Sequence, residues 1–345
     1  MPGSNLVNSV RAMTCEAPGR LRMIEQLVTR GADEVLVSIK RVGVCGTDLH
    51  IFAGNQPYLS YPRVMGHELA GTVVEAPAGS TLAAGDVVFI VPYLSCGECR
   101  PCRTGRTNCS TRLQVLGVHR DGGMAERLAV PDRFVHKAPG ITLDQAAMVE
   151  FLAIGAHAVR RGGPAPGDRV LVVGAGPIGI ATALFAGLRG AAVTVLDPRA
   201  DRLAFAATHL PVAHTVAPGD AVEAELKALT DGEGFDVVFD ATGNPKAMER
   251  GFGFVGHGGS YVLVSIVSGD ISFSDPEFHK REATLLASRN ATAEDFELVL
   301  DCLRAGKVPT DALATHRLAF RDAPDRFADL LRPEMGVIKA LIEIP

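Results

Sequence analysis

Cys96-x2-Cys99-x2-Cys102-x6-Cys109 places four thiols within fourteen residues. Four thiolates at about 2.3 Å from one ion make a closed tetrahedral zinc site, so the chemistry on offer there is structural. Gly97, Pro101 and Gly105 are turn formers that let a short loop wrap a single ion. A bacterial iron–sulfur run has three residues before its last cysteine and then proline, whereas this run has six and then Ser110. The pattern predicts a zinc lobe over about residues 93–112.

A second local pattern is Gly174-Ala-Gly176-Pro177-Ile178-Gly179, placed between the apolar run Val170–Val173 and a stretch of helical character from Ile180 to Leu188. In that setting the first glycine permits a tight turn, the second lets backbone N–H groups approach a pyrophosphate, and the third lets helix and strand pack closely. Asp197 ends the next apolar run, where a carboxylate can accept hydrogen bonds from a ribose diol. That acid favours NAD over NADP by repelling a 2′-phosphate, while Arg199 and Arg202 follow close behind. Arg202 is counted with the cofactor site.

Cys45, His67 and Glu150 lie far apart, each in a distinctive string: Gly43-Val-Cys45-Gly-Thr47-Asp48-Leu-His50, Gly66-His67-Glu68 and Val149-Glu150-Phe-Leu-Ala. Read singly, they are equally a small buried hydrophobe, a core histidine and a helix-start carboxylate. Together with Gly85-Asp86-Val-Val, the cysteine lobe, Asp121-Gly122-Gly123, Gly167-Asp168-Arg-Val and the nucleotide turn, in that order, they make the chain resemble the zinc-dependent medium-chain dehydrogenase/reductase family over nearly its whole length.

The resemblance implies a catalytic zinc held by Cys45, His67 and Glu150, with Glu68 as an alternate or neighbouring carboxylate, and a structural zinc held by Cys96, Cys99, Cys102 and Cys109. Three protein ligands leave a fourth position for water or substrate, where the metal acts as a Lewis acid on an alcohol oxygen. Thr47 and His50 are then the hydroxyl and imidazole that relay the proton to solvent. Asp48 reads as a supporting hydrogen-bond acceptor. Two positions depart from the family: many relatives carry one more residue before the last lobe cysteine, and Phe151 stands where proline commonly follows the catalytic glutamate.

A carboxylate ligand at Glu150 resembles the polyol, sugar and threonine dehydrogenases more than the simple alcohol dehydrogenases. The string Val115-Leu-Gly-Val-His119-Arg120-Asp-Gly-Gly is similar to strings in bacterial sugar-acid enzymes of the L-galactonate 5-dehydrogenase and starvation-sensing types. Arg120, beside His119, is a candidate partner for a substrate carboxylate. Arg289, in Ser288-Arg289-Asn290, is a second anchor, near where the family contacts cofactor and substrate. The expected reaction is NAD-dependent oxidation of a secondary hydroxyl on an aldonate or polyol. A threonine or butanediol-type dehydrogenase, and a non-catalytic nucleotide-binding scaffold, are the other readings.

The elements that must position these groups follow from texture and length. Residues 1–150 carry short alternating runs such as Val35–Ile39 and Val87–Val91 between Gly, Pro and Asp turns, a β-rich region. From about residue 165, short β-rich runs alternate with stretches of helical length, the pattern of a doubly wound parallel sheet. The expected fold is α/β, a β-rich GroES-like catalytic domain from 1–151 and 291–345 plus a Rossmann NAD-binding domain over 152–290. The 345 residues suffice for two cores. A net charge of −5 without a basic run excludes nucleic acid as an expected partner. Val170–Leu188 is long and uncharged, but its glycines and proline read as strand, turn and helix and not as a membrane span. The N-terminal MPGSNLVNSVRAM lacks a secretory core, and the cysteines cluster as metal ligands and not as disulfide pairs, so a cytoplasmic homo-oligomer, tetramer over dimer, is expected.

Overall fold

A computed structural model describes residues 9–56 and 59–345; the first eight residues of the N-terminal stretch MPGSNLVNSVRAM lie outside them. The fold divides into two units, one running to Glu150 and resuming at Leu300–Pro345, the other spanning Phe151–Val299.

The first unit is built on a seven-stranded sheet. Its central strand Glu34–Val44 pairs with Glu68–Glu75 on one side and with the C-terminal strand Ala340–Glu343 on the other, both antiparallel. Consecutive buried residues at Val35–Val37 and Val42–Val44 show that both faces of that strand are covered at its two ends, while Ser38, Lys40 and Arg41 between them are only partly buried. Val35, Val37, Ile39 and Val42 pack there with Leu69, Val88, Phe320 and Ile342. The register matters for chemistry. Gly43 stands opposite Glu68, and Val44 opposite Ala340, so the middle of the sheet meets the strings that carry Cys45, Glu68 and Lys339.

The helix Leu143–Gly162 carries Glu150. It opens at Thr142, whose hydroxyl accepts the Gln145 N–H (3.2 Å) while the Gln145 side chain accepts the Thr142 N–H (2.9 Å), a reciprocal cap.

The second unit holds a six-stranded sheet in which every pairing is parallel. Its spatial order is His214–Val216, Ala192–Leu196, Arg169–Val173, Phe235–Asp240, Val255–Leu263, Thr284–Ala287. Numbered within the unit this is 3-2-1-4-5-6, the doubly wound dinucleotide-binding order, with its switch point between Arg169–Val173 and Phe235–Asp240. The apolar stretch Val170–Leu188 is split between the strand Arg169–Val173 and the helix Pro177–Leu188. Among the described residues, no helix is long and apolar enough to cross a membrane.

Candidate active site

Cys45 caps the helix Gly46–Ala53, and its backbone N–H donates to Asp48 Oδ2 (2.9 Å). Asp48 Oδ1 accepts the Gly66 N–H (3.1 Å) and lies 3.8 Å from His67 Nδ1. One fully buried carboxylate therefore fastens the cysteine string to the histidine string. Gly66 has φ +94°, and a Cβ there would stand 2.9 Å from both Met124 and Val42, so only glycine turns the chain here to bring His67 inward. The sulfur of Cys45, a ring nitrogen of His67 and a carboxylate oxygen of Glu68 all lie within 4.8 Å of one another.

Glu68, the alternate carboxylate, thus joins Cys45 and His67, whereas the expected ligand Glu150 lies outside this group, and the two carboxylates are held differently. Both oxygens of Glu68 are bound by Lys339 Nζ (2.7 and 2.8 Å), which also donates to the Val44 carbonyl (3.2 Å). Glu150 Oε1 accepts the hydroxyl of the buried Tyr93, while Glu150 Oε2 and His67 Nδ1 are buried with no hydrogen-bond partner. Burial, and then the charge of Glu68, push the Glu150 carboxyl up to about 7 against the pull of His67. Burial alone would lower the pKa of His67, but Asp48, Cys45 and Glu150 overcome it and hold it well above its ordinary value. Acidic groups thus outnumber cations in a dry site. A cysteine sulfur, an imidazole and carboxylate oxygens gathered here form a donor set that fits zinc.

Thr47 is half-buried and His50 exposed on the same helix, with His50 Nδ1 2.9 Å from Asn55 Oδ1. The segment carrying His119 and Arg120 is seated on the histidine string: Gly122 N–H donates to Val64 O (2.7 Å) and Gly123 N–H to Gly66 O (2.9 Å). Arg120 and His119 are exposed, and His119 Nδ1 accepts the Val115 N–H (3.1 Å).

In the cysteine lobe the structure brings together Cys96, Cys99 and Cys102. Hydrogen bonds, that from Ser110 foremost, lower the Cys96 thiol to about 5, and backbone hydrogen bonds lower Cys99 to about 7. Cys109, expected as the fourth ligand, is exposed and does not join the group. The reason is local: the 3-10 turn Thr107–Cys109 leaves the Cys109 side chain outside and buries the next residue, Ser110, against the sulfurs.

In the second unit, Gly176 caps the helix Pro177–Leu188, with Ile178 in its first turn. A Cβ on Gly179 would stand 1.8 Å from the Gly174 carbonyl oxygen, so strand and helix approach as the turn requires. Asp197 is buried; its Oδ2 accepts the Ala175 N–H (2.6 Å) and its Oδ1 the Arg199 N–H (2.8 Å), which ties the acid to the turn. A cavity of about 530 Å³ opens beside Gly174, Gly176, Asp197, Arg202 and Lys246. Arg202 Nε is buried without a hydrogen-bond partner in this cavity wall, a donor suited to a pyrophosphate. Arg289 is exposed at the end of the strand Thr284–Ala287, between Ser288 Oγ and Asn290 Nδ2, which are buried and unpartnered.

Comparison with known proteins decides the family. Residues 31–140 match the alcohol dehydrogenase GroES-like domain, and residues 177–305 match the zinc-binding dehydrogenase family. The chain is 41% identical to the L-galactonate-5-dehydrogenase of Escherichia coli K12 over 338 residues, 97% of this chain and 99% of the relative. It belongs to the zinc-dependent medium-chain dehydrogenase/reductase family. Among solved structures, an alcohol dehydrogenase (RspB) from E. coli CFT073 complexed with NADH superposes with a TM-score of 0.91 at 30% identity, covering 98% of this chain and 100% of that one. A zinc-binding dehydrogenase from Sinorhizobium meliloti bound to NADP gives 0.88 at 28%, covering 98% and 100%.

The chain is thus an alcohol or polyol oxidoreductase with the GroES-like plus Rossmann architecture expected from its sequence. This dehydrogenase also carries site residues that motif reading passed over. Lys339 is the lone cation in the apolar run Val337–Ile342, a signal that it must be paired if buried. Tyr93, one of four tyrosines, offers no sequence signal of its contact with Glu150.

Proposed function

We propose that this dehydrogenase oxidises a secondary hydroxyl of a sugar acid or polyol to a ketone, with NAD as hydride acceptor. The observation that carries this reading is the group of Cys45, His67 and Glu68, whose ligand atoms lie within 4.8 Å of one another, with the buried and unpartnered Glu150 Oε2 on a carboxylate that acts electrostatically on His67. Cys45, His67 and Glu150 are the residues that would hold zinc, with Glu68 kept alongside by Lys339. When bound there, zinc supplies a Lewis acid that lowers the pKa of an alcohol and makes its carbon a hydride donor.

The chain's own groups do the rest. Thr47 and His50 stand three residues apart on one helix face, and the histidine reaches solvent, so they are placed to take the hydroxyl proton outward. The turn Gly174–Gly179 and Arg202 are placed to bind the pyrophosphate. Asp197 retains lone pairs beyond its two backbone bonds to accept a ribose diol. Arg199 is tied to Asp201 by two hydrogen bonds (3.1 and 2.6 Å), which leaves it poorly placed to hold a 2′-phosphate and favours NAD. Arg120 and Arg289 are the candidate anchors for an acidic substrate, with His119 beside the first, in keeping with the similarity to an L-galactonate-5-dehydrogenase.

We place the enzyme in the cytoplasm as a homotetramer. Cys96, Cys99 and Cys102 are grouped as metal-ligand thiols, a state that a reducing compartment maintains. The edge strand Thr284–Ala287 leaves its outer side unpaired among the described residues and exposes Leu285, an edge that self-association would cover. Light scattering on the purified protein reads the oligomeric state.

The test is NADH formation across a panel of aldonates, neutral polyols, threonine and vicinal diols. Turnover with aldonates or polyols supports the reading, and turnover with threonine alone replaces it. Cys45→Ser is expected to abolish turnover while the protein stays folded; an active, fully zinc-loaded variant overturns the site.

A further inference from the structure

The Ser110 hydroxyl occupies a place in the cysteine lobe that no cysteine fills. Its oxygen lies 3.4 Å from Cys96 Sγ and 3.7 Å from Cys99 Sγ, and it accepts the Cys96 N–H at 3.2 Å. Cys96 Sγ and Cys102 Sγ are 3.9 Å apart, and Cys99 Sγ and Cys102 Sγ 3.4 Å. A tetrahedral ion with zinc–sulfur bonds of about 2.3 Å separates its sulfurs by about 3.8 Å, and an oxygen ligand at about 2.0 Å stands about 3.5 Å from each sulfur. The four distances above lie within about 0.4 Å of those edges, and the remaining sulfur pair, Cys96 and Cys99, lies within 4.8 Å. Ser110 is buried, whereas Cys109 is exposed and outside the group.

We propose that the lobe of this chain binds zinc through the three thiolates of Cys96, Cys99 and Cys102 and the oxygen of Ser110, with Cys109 outside the site. A hydroxyl oxygen is a harder, weaker donor than a thiolate, so the lobe ion is held less tightly than by four sulfurs and exchanges more readily. The inference concerns metal binding alone and stands whether or not the chain oxidises polyols.

The experiment measures zinc release from the full-length, zinc-loaded protein to a chromogenic chelator, comparing wild type with Ser110→Cys, Ser110→Ala, Cys109→Ser and Cys96→Ser. Cys96→Ser identifies the lobe ion as the one lost. For that ion, Ser110→Cys is expected to tighten binding at least ~10-fold and Ser110→Ala to weaken it by ~10-fold, the scale of one ligand-shell change. Cys109→Ser is expected to match wild type. With Co(II) in place of zinc, Ser110→Cys adds sulfur-to-metal charge-transfer intensity in the near ultraviolet and Cys109→Ser removes none. Weakened binding in Cys109→Ser overturns the assignment. So does unchanged binding in Ser110→Ala, or a zinc content that Cys96→Ser does not lower. Thermal melts of the zinc-loaded variants separate lost ligands from lost fold; if Ser110→Ala does not fold, the Ser110→Cys and Cys109→Ser measurements still decide.

Discussion

Lys339 Nζ lies 2.7 and 2.8 Å from the two oxygens of Glu68, and neither side chain reaches solvent. Removing one partner leaves the other charge buried and unpaired, at a cost of about 3–5 kcal/mol, whereas removing both is close to neutral. Lys339→Met is therefore expected to lower the melting temperature of the zinc-free protein markedly, and Glu68→Gln/Lys339→Met to recover most of the loss. A double variant as unstable as the single would show that the pair does not act through charge.

Tyr93 fixes one oxygen of Glu150 and leaves the other unpartnered. Partners that orient a metal ligand typically contribute 10- to 100-fold in affinity. Tyr93→Phe is expected to weaken the active-site zinc by ~10-fold or more in chelator competition. The effect should vanish in a Glu150→Gln background, because it is transmitted through that carboxylate.

Arg120 stands on the segment hydrogen-bonded to Val64 and Gly66, next to His67. A charge-assisted hydrogen bond contributes about 1.5–3 kcal/mol. Arg120→Ala is expected to reduce kcat/KM for aldonates by ~10- to 100-fold and to leave neutral polyols within a few-fold of wild type. Equal losses on both classes remove Arg120 as the acid anchor.

Asp197 serves the glycine turn through Ala175 as well as lining the cavity beside that turn. Asp197→Ala is expected to raise KM for NAD by at least ~10-fold, about one charged hydrogen bond. The ratio of NADP to NAD activity should rise, since the repulsion of a 2′-phosphate is gone. Steady-state kinetics with both cofactors read the change.

Asp295 accepts hydrogen bonds from Arg160 (2.7 and 2.9 Å) and the Thr292 N–H (2.8 Å), and its Oδ2 is 2.8 Å from His157 Nδ1. Burial opposes ionisation, but these hydrogen bonds outweigh it and hold the carboxyl well below its ordinary value. A depressed carboxylate adds stability that is full above the unfolded pKa of about 4 and is lost as pH falls towards the folded value. Asp295→Asn is expected to lower the urea midpoint at pH 7, with about 3 kcal/mol at stake. The gap from wild type should narrow as pH falls below about 4.

The strand, turn and helix around Gly174–Gly179 and the clustering of Cys96, Cys99 and Cys102 were legible in the chain alone. Each is local: sterics at a few glycines and a loop a dozen residues long dictate them, and no distant partner is needed. The same holds for the alternation of strands and helices that marks the parallel sheet. Distance in sequence hides the remainder. Lys339 and Glu68 are 271 positions apart and meet only because Ala340–Glu343 and Glu68–Glu75 flank the same central strand in one register. Tyr93 meets Glu150 across 57 positions, and Asp48 joins two strings through a backbone amide that no motif specifies. Between Cys109 and Ser110 the chain offers two adjacent candidates of similar size. A single 3-10 turn selects which of them faces the sulfurs, because side chains project from successive residues in different directions and only packing fixes which direction is inward.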